Sequence, residues 1–199
     1  MSFRNPDWRV AWVKIPLFVL ALLPADLLLY DAMTNNLGAN PIETLSRTTG
    51  DWVFRFLLIT ISMTPLRRWT GWPVWLHLRR MLGLFVFFYA CLHFGVYVLD
   101  QLLSSETVWE DIVKRPYIIV GFTAFLMLWP LVLTSNHFMM RSLGNNWQQL
   151  HKLVYVIAVL GLVHYLWQLK SDYVEALVYT LLIAVLLGVR LQQHFSHRA

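Results

Sequence analysis

Apolar residues run through this chain in long blocks, not in the alternating or one-faced patterns of a water-soluble fold. A helix needs about 20 largely apolar residues to cross a bilayer core. Six stretches meet or approach that length, near 11–30, 52–66, 81–99, 117–134, 150–169 and 173–191. They predict an all-α, six-helix transmembrane bundle. Residues 1–199 form a single membrane domain, because the connections are too short for a soluble one. The second stretch is short and the least apolar, since Thr60, Ser62 and Thr64 interrupt it. Pro16, Pro24, Pro65 and Pro130 fall within or at the ends of predicted helices. Membrane helices tolerate proline because neighbours satisfy the freed carbonyl; Pro65 and Pro130 read more simply as helix terminators. No clear repeat is visible.

Composition sharpens this picture. Hydrophobic residues make up 58% and charged residues 14%, against about half and a quarter in a soluble domain. Ten Trp and eight Tyr suit aromatic belts at the membrane interfaces. The net charge of +5 is not arranged as a basic stripe, so nucleic acid is not an expected partner. Cys91 is the only cysteine, which excludes an internal disulfide and any cysteine-based zinc or iron–sulfur site. No small-residue cleavage site follows the first apolar run, so no cleavable signal peptide is expected.

The cations are asymmetric. One side of the predicted bundle carries Arg4, Arg9, Lys14, Arg67, Arg68, Arg79, Arg80, Arg141, Lys152, Arg190 and Arg198; the other carries Arg47, Arg55, Lys114, Arg115 and Lys170. By the positive-inside rule the richer side, with both termini, faces the cytoplasm. The opposite loops hold most of the acids, including Asp100, Glu106, Glu110, Asp111, Asp172 and Glu175. A partner docking there is expected to be basic at its contact.

Two histidines lie deep in apolar stretches. His93 is 12 residues beyond Met81, about 18 Å along a helix. His164 is 14 residues beyond Leu150, about 21 Å by the same rise. Histidine inside a membrane is costly and points to function. Two imidazoles at matched depth on parallel helices are what bis-histidine ligation of haem iron requires, an arrangement suited to electron transfer. A hydrogen-bonded histidine between helices is the structural alternative for each. Gly161, on the face of His164, either lets a flat porphyrin approach or serves close helix packing. Tyr89 and Tyr97 flank His93 at i−4 and i+4 and read chiefly as packing. His151 stands at the cytoplasmic mouth of the fifth helix, where the third helix offers Arg79 and Arg80 in place of a second histidine. His151 is open to ligation with an unusual partner, to a role near a flavin or quinone, or to interfacial hydrogen bonding. Arg79 and Arg80 are suited to a flavin phosphate or haem propionates, and equally to lipid phosphates. His77 is expected to precede the third helix. His77, His137, His194 and His197 read as solvated surface.

The run Arg79-Arg80-Met81-Leu82-Gly83-Leu84 followed by Leu92-His93 resembles a signature of the MsrQ family, within the ferric-reductase-like transmembrane superfamily. So do Trp147-Gln148-Gln149-Leu150-His151 with Tyr155, and His164-Tyr165-Leu166-Trp167. Leu37-Gly38-Ala39-Asn40-Pro41 and Arg115-Pro116-Tyr117 extend the likeness over nearly the whole chain. The resemblance implies a multi-pass protein of the bacterial inner membrane that binds haem b, one or two per chain, and FMN. It implies haem ligands at His93, His151 and His164. It further implies electron transfer from the quinol pool, or from a cytosolic flavin reductase, to a periplasmic molybdopterin subunit, MsrP. That partner, not this chain, would reduce methionine sulfoxide in oxidised periplasmic proteins, so no catalytic residue is assigned here. Dihaem members of the superfamily carry a second histidine on the third helix where this chain has Arg79 and Arg80. Two other classes stand beside this reading. A stand-alone ferric-chelate reductase would need a nucleotide-binding domain, and no GxGxxG-type segment is present. A transporter or assembly factor would be expected to show broken helices or paired intramembrane carboxylates, whereas Asp26 is the only acid well inside a span.

Overall fold

The computed structural model describes residues 8–104, 107–169 and 173–196. Arg4, Glu106, Lys170, Asp172, His197 and Arg198, all weighed above, lie outside the described residues. Among the described residues there are nine helices and no strand: α1 (Trp8–Met33), α2 (Pro41–Thr70), α3 (Val74–Leu103), α4 (Val108–Lys114), α5 (Tyr117–Leu133), α6 (His137–Leu143), α7 (Asn145–Leu150), α8 (Leu153–Gln168) and α9 (Tyr173–Ser196).

Two antiparallel hairpins form the centre. In the first, α2 starts on an Asn40 cap with Pro41 in its first turn and ends at Gly71. Gly71 takes φ +73° and returns its N–H to the Arg67 carbonyl, a left-handed stop that glycine adopts without a Cβ penalty. Only Gly71 to Pro73 separate α2 from α3, so the two must pack side by side. In the second hairpin α5 packs on α8, with α6 and α7 in the connection. The hairpins also meet across one another, α2 against α8 and α3 against α5. α1 lies on α2 and α3, and α9 on α2 and α8.

Length and composition mark four helices as able to cross a membrane: α1 from Trp12, α3, the α7–α8 stretch Asn145–Gln168, and α9 to Arg190. The α4–α5 pair, bent by 109°, makes a fifth if taken as one span. The predicted second span, 52–66, lies inside the 30-residue α2, which does not qualify by apolarity. The reason is where α2 sits. Nine of its residues, Phe54, Leu57 and Ile61 among them, are buried within the bundle. A helix shielded by α1, α3, α8 and α9 has less need of lipid-facing residues and carries Glu43, Asp51 and Arg55. α1 is the opposite case: Ala21 is its only buried side chain among those described, and Leu20, Leu27 and Leu29 face outward. α3 begins seven residues before the predicted 81–99 span, so His77, Arg79 and Arg80 lie within the helix and not ahead of it. This corrects the expectation for His77, whose Nδ1 sits 3.0 Å from the Pro73 carbonyl in the first turn. By length and composition these apolar helices make the chain a multi-pass membrane protein.

The charge asymmetry survives folding. Lys14, Arg67, Arg68, Arg79, Arg80, Arg141, Lys152 and Arg190 sit in one half, the basic end. The described acids other than Asp26, which lies within α1, sit in the other, the acidic end, and so do the ion pairs Arg47–Glu43, Arg55–Asp51, Arg55–Glu175, Arg115–Asp100 and Arg115–Asp111.

Candidate functional site

His93 on α3 and His164 on α8 face each other with ring centroids 6.2 Å apart and planes at 81°. The His93 Nδ1 lies 3.0 Å from the Ser46 carbonyl and 3.2 Å from the Thr49 hydroxyl. The His164 Nδ1 lies 2.8 Å from the Tyr117 carbonyl. A carbonyl only accepts, so each Nδ1 carries the proton and donates. That fixes the tautomer and leaves each Nε2 with a lone pair, the usual orientation of a metal-ligating histidine.

The approach of each ring to its neighbouring helix depends on a glycine one turn beyond the accepting carbonyl. A Cβ at Gly50 would stand 3.2 Å from Cε1 of His93. One at Gly121 would stand 2.7 Å from Cε1 and Nδ1 of His164. No sequence signal singled out these two glycines. Gly161, which did stand out, would bring a Cβ 3.6 Å from Phe54, ordinary contact.

The two halves of the site repeat. Ser46, Gly50 and His93 correspond to Tyr117, Gly121 and His164, each 71 residues later. The aromatic walls follow the same relation. Phe54 of the first hairpin stacks on Tyr165 of the second at 5.7 Å. Their counterparts, Phe125 and Phe94, stack on each other at 5.1 Å. The equivalence exchanges the hairpins, so the chamber between them is two-fold in plan, with the two imidazoles related across its middle. All these residues line one cavity of about 1170 Å³, somewhat larger than the usual 300–1,000 Å³ of a ligand pocket.

The donor set selects what this chamber can hold. Among the described residues no three His, Cys, Asp or Glu groups gather to chelate a bare ion, and protein metal sites use three or four such ligands. Two opposed imidazoles therefore suit an ion that brings its own in-plane donors. Metal–imidazole bonds of about 2 Å on each side would put the ring centroids about 6 Å apart, close to the spacing found. Flat aromatic walls and two-fold plan suit a porphyrin. The residues present fit a haem.

At the acidic mouth of the cavity, Arg47, Asp100, Gln101, Arg115 and Glu175 line the wall. Tyr97 lines it too, and its hydroxyl is buried without a partner. Asp111, 1% exposed, accepts from Gln101 at 3.0 Å and pairs closely with Arg115. Arg55 joins α2 to α9 through Glu175 and Tyr179 and pairs with Asp51 one turn back on α2. Tyr89 does not reach the cavity; its hydroxyl bonds α1 at Ala21 and Ala25.

The remaining predicted site residues lie elsewhere. His151 sits at the basic end between α7 and α8, outside the cavity lining. Its Nδ1 lies 3.0 Å from the Trp147 carbonyl and its ring stacks on Trp147 at 3.9 Å. Its Nε2 is 3.5 Å from the Ser135 hydroxyl, a contact at the limit of hydrogen bonding. Arg79 reaches Thr64 on α2 at 3.5 Å, whereas Arg80 points to His137 on α6 at 3.4 Å. The structure thus brings His93 and His164 together, leaves His151 apart, and sends the two arginines in different directions.

Residues 49–162, more than half of the chain, match the ferric reductase like transmembrane component family. A protein of Herminiimonas arsenicoxydans named protein-methionine-sulfoxide reductase heme-binding subunit MsrQ is 47% identical over 194 residues, covering 96% of this chain and 89% of the relative. Proteins of the same name from Rhodospirillum rubrum and Deinococcus radiodurans are 47% and 42% identical, covering 89% and 96% of this chain and 86% and 95% of the relatives. Matched from its second helix to its eighth by the family and nearly end to end by these relatives, the chain belongs to the MsrQ family of ferric-reductase-like transmembrane proteins.

Proposed function

We propose that this chain is the haem b electron-transfer subunit of a methionine-sulfoxide reductase system, working in the bacterial inner membrane as a single membrane domain with its basic end in the cytoplasm. The observation that carries the reading is the opposed His93–His164 pair at 6.2 Å, each ring held by a backbone carbonyl. His93 and His164 would hold the haem iron through their free Nε2 atoms, and the haem would supply a one-electron carrier. Ser46, Thr49 and Tyr117 hold the ligand rings in place and raise their basicity through Nδ1. Phe54, Phe94, Phe125 and Tyr165 wall the chamber and keep water from it. An iron held by two imidazoles would favour electron passage over oxygen chemistry.

Electrons enter at the basic end from quinol or from a cytosolic flavin reductase, with FMN as an additional cofactor and Arg79 and Arg80 as the candidate phosphate contacts. They leave at the acidic end to a periplasmic molybdopterin subunit, MsrP, which carries out sulfoxide reduction. His151, with Nδ1 bonded and Nε2 only loosely held, is the candidate ligand should a second haem bind. The relatives' name supports the haem and the reductase system, and the family resemblance supports donor and acceptor.

The test is a reduced-minus-oxidised visible spectrum of purified protein with a pyridine-haemochrome count. Sharp low-spin b-type bands are expected, with at least one haem per chain. A folded preparation made with ample haem supply and showing no such bands would defeat the reading.

A further inference from the structure

The cavity around His93 and His164 has one polar end. On the basic side of the two rings it is closed by Leu57, Ala90, Ala124, Leu128 and Ile157. On the acidic side stand Tyr97, one turn beyond His93 on α3, and Gln168, one turn beyond His164 on α8. The two-fold relation pairs them, since Gln168 lies 71 residues after Tyr97. Gln101, a further turn along α3, lines the same wall as Tyr97. Two buried polar atoms of this wall are orphaned, the Tyr97 hydroxyl and the Gln101 Oε1. The Gln101 amide is engaged only through its nitrogen, which donates to Asp111 at 3.0 Å. Asp111, Arg115 and Asp100 are close enough to Tyr97 to act on it electrostatically, yet none of them meets its hydroxyl in a hydrogen bond. A buried hydroxyl or amide oxygen without a partner is costly. One such donor and one such acceptor, a turn apart on a cavity wall, call for a polar group of a ligand.

We propose that this wall seats the carboxyl edge of the haem, with the Tyr97 hydroxyl as the donor to one propionate. The inference rests on the haem reading and adds the orientation of the group within its chamber. Haem b carries both carboxyl groups on one edge and only methyl and vinyl groups on the opposite edge. A carboxylate set against the apolar floor would be left without water or partner, at large cost. The apolar edge therefore belongs on the floor and the carboxyl edge at the acidic mouth. A carboxyl group also answers the orphaned pair. Ionised, it accepts from Tyr97; protonated, it also donates to the Gln101 Oε1. The two guanidiniums of the mouth are already engaged, Arg47 with Glu43 and Arg115 with Asp100 and Asp111. That leaves the Tyr97 hydroxyl as the uncommitted donor on this wall. Gln168 offers its amide to the second carboxyl group from the related position on α8.

The test uses the full chain in detergent, prepared without haem and titrated with haem or with its dimethyl ester, in which both carboxyl groups are masked. Low-spin visible bands mark binding in each titration. The unaltered chain is expected to bind haem about tenfold or more tightly than the ester, the worth of a hydrogen bond to a charged group. Tyr97→Phe is expected to weaken haem by about tenfold and the ester by much less. Tyr89→Phe removes a hydroxyl one turn to the other side of His93, outside the cavity, and should keep the original ratio of the two affinities. Equal affinity of the unaltered chain for the two porphyrins overturns the proposal. So does a Tyr97→Phe variant that leaves haem binding untouched. A variant that weakens both porphyrins alike overturns it too, because that is the result of a hydroxyl that only braces α3 against Asp111. In all three cases the low-spin bands persist and the ligand pair stands. An unaltered, folded chain that gives low-spin bands with neither porphyrin fails the haem reading itself, and the carboxyl seat falls with it.

Discussion

The Cβ that alanine would add at Gly121 stands 2.7 Å from Cε1 and Nδ1 of His164. The ring cannot step aside freely, because its Nδ1 is bonded to the Tyr117 carbonyl one turn earlier on the same helix. Gly121→Ala is therefore expected to push α5 from α8 or break that bond, at about 1–3 kcal/mol, the range for overpacking. The visible bands should broaden or shift. Gly50→Ala, with 3.2 Å to His93, should show the same effect more weakly. Gly161→Ala serves as the contrast. Its Cβ makes ordinary contact with Phe54, and alanine is favoured over glycine in a helix interior by up to about 1 kcal/mol. Thermal unfolding followed at the haem bands would rank the three, and a Gly121 variant no worse than the Gly161 variant would contradict this account.

Replacing either opposed histidine would remove one of the two imidazoles that would hold the haem iron. His93→Ala and His164→Ala are each expected to abolish the low-spin signal of that site. His151→Ala should leave it in place, since His151 lies outside the cavity and contacts Trp147 and Ser135 instead. Any fall in the haem count of the His151 variant would then belong to a second haem. The pyridine-haemochrome count and the low-temperature spectrum of the three proteins decide the matter. Full haem content and an unaltered spectrum in the His93 or His164 variant would remove the ligand assignment.

Much of this site could be read from the sequence because depth in a membrane helix is a count of residues. Their distances from Met81 and Leu150 put His93 and His164 at one height; α3 begins earlier, at Val74, and α8 later, at Leu153, yet the structure brings the two rings to 6.2 Å. The two-fold relation was not legible. Between 46–97 and 117–168 the identical pairs are Gly50/Gly121, Phe54/Phe125, Leu57/Leu128, Leu82/Leu153 and His93/His164. Apolar residues substitute for one another at little cost in lipid and in a packed core, so the rest of the repeat leaves no trace. What persists, Leu82/Leu153 aside, lines the cavity. α2 misled for a different reason. Its hydropathy reflects burial among four helices, and a sequence window cannot see what surrounds it. The short α4, α6 and α7 fell in segments taken as plain connections, where polar residues and caps carry the only signal.

Tyr89 repairs α1. Pro24 lacks an N–H, which disturbs the helical ladder around it. The Tyr89 hydroxyl, on a side chain 1% exposed, donates to the Ala21 carbonyl at 2.8 Å and accepts from the Ala25 N–H at 3.2 Å. Tyr89→Phe deletes both bonds and leaves two backbone groups to find partners in an apolar setting. A cost of about 1–3 kcal/mol is expected. Because Tyr89 does not line the cavity, the haem spectrum should not change. Thermal unfolding and absorbance measured on one sample test both halves. A spectral change without destabilisation would place Tyr89 in the haem site instead.

Two ion pairs at the acidic end differ in what they are worth. Arg47–Glu43 joins side chains 59% and 55% exposed, and such surface pairs contribute about 0–1 kcal/mol. Asp111 is 1% exposed and accepts from both Gln101 and Arg115, binding α4 to the end of α3 and the start of α5. Arg115 is 41% exposed, so solvent screens part of the pairing. What remains costly is an acceptor site left buried and mismatched. Asp111→Asn keeps one oxygen acceptor but sets an amide N–H₂ against the other of the two donors, Gln101 or Arg115, and should destabilise by about 1–3 kcal/mol. The consequence extends to the ligand pair, because Arg115 lies two residues before Tyr117, whose carbonyl orients His164. Asp111→Asn should therefore speed haem loss to an apoprotein acceptor, while Glu43→Gln should not. Equal rates in the two variants would mean that the Asp111 network holds α4 alone and has no hold on the ring of His164.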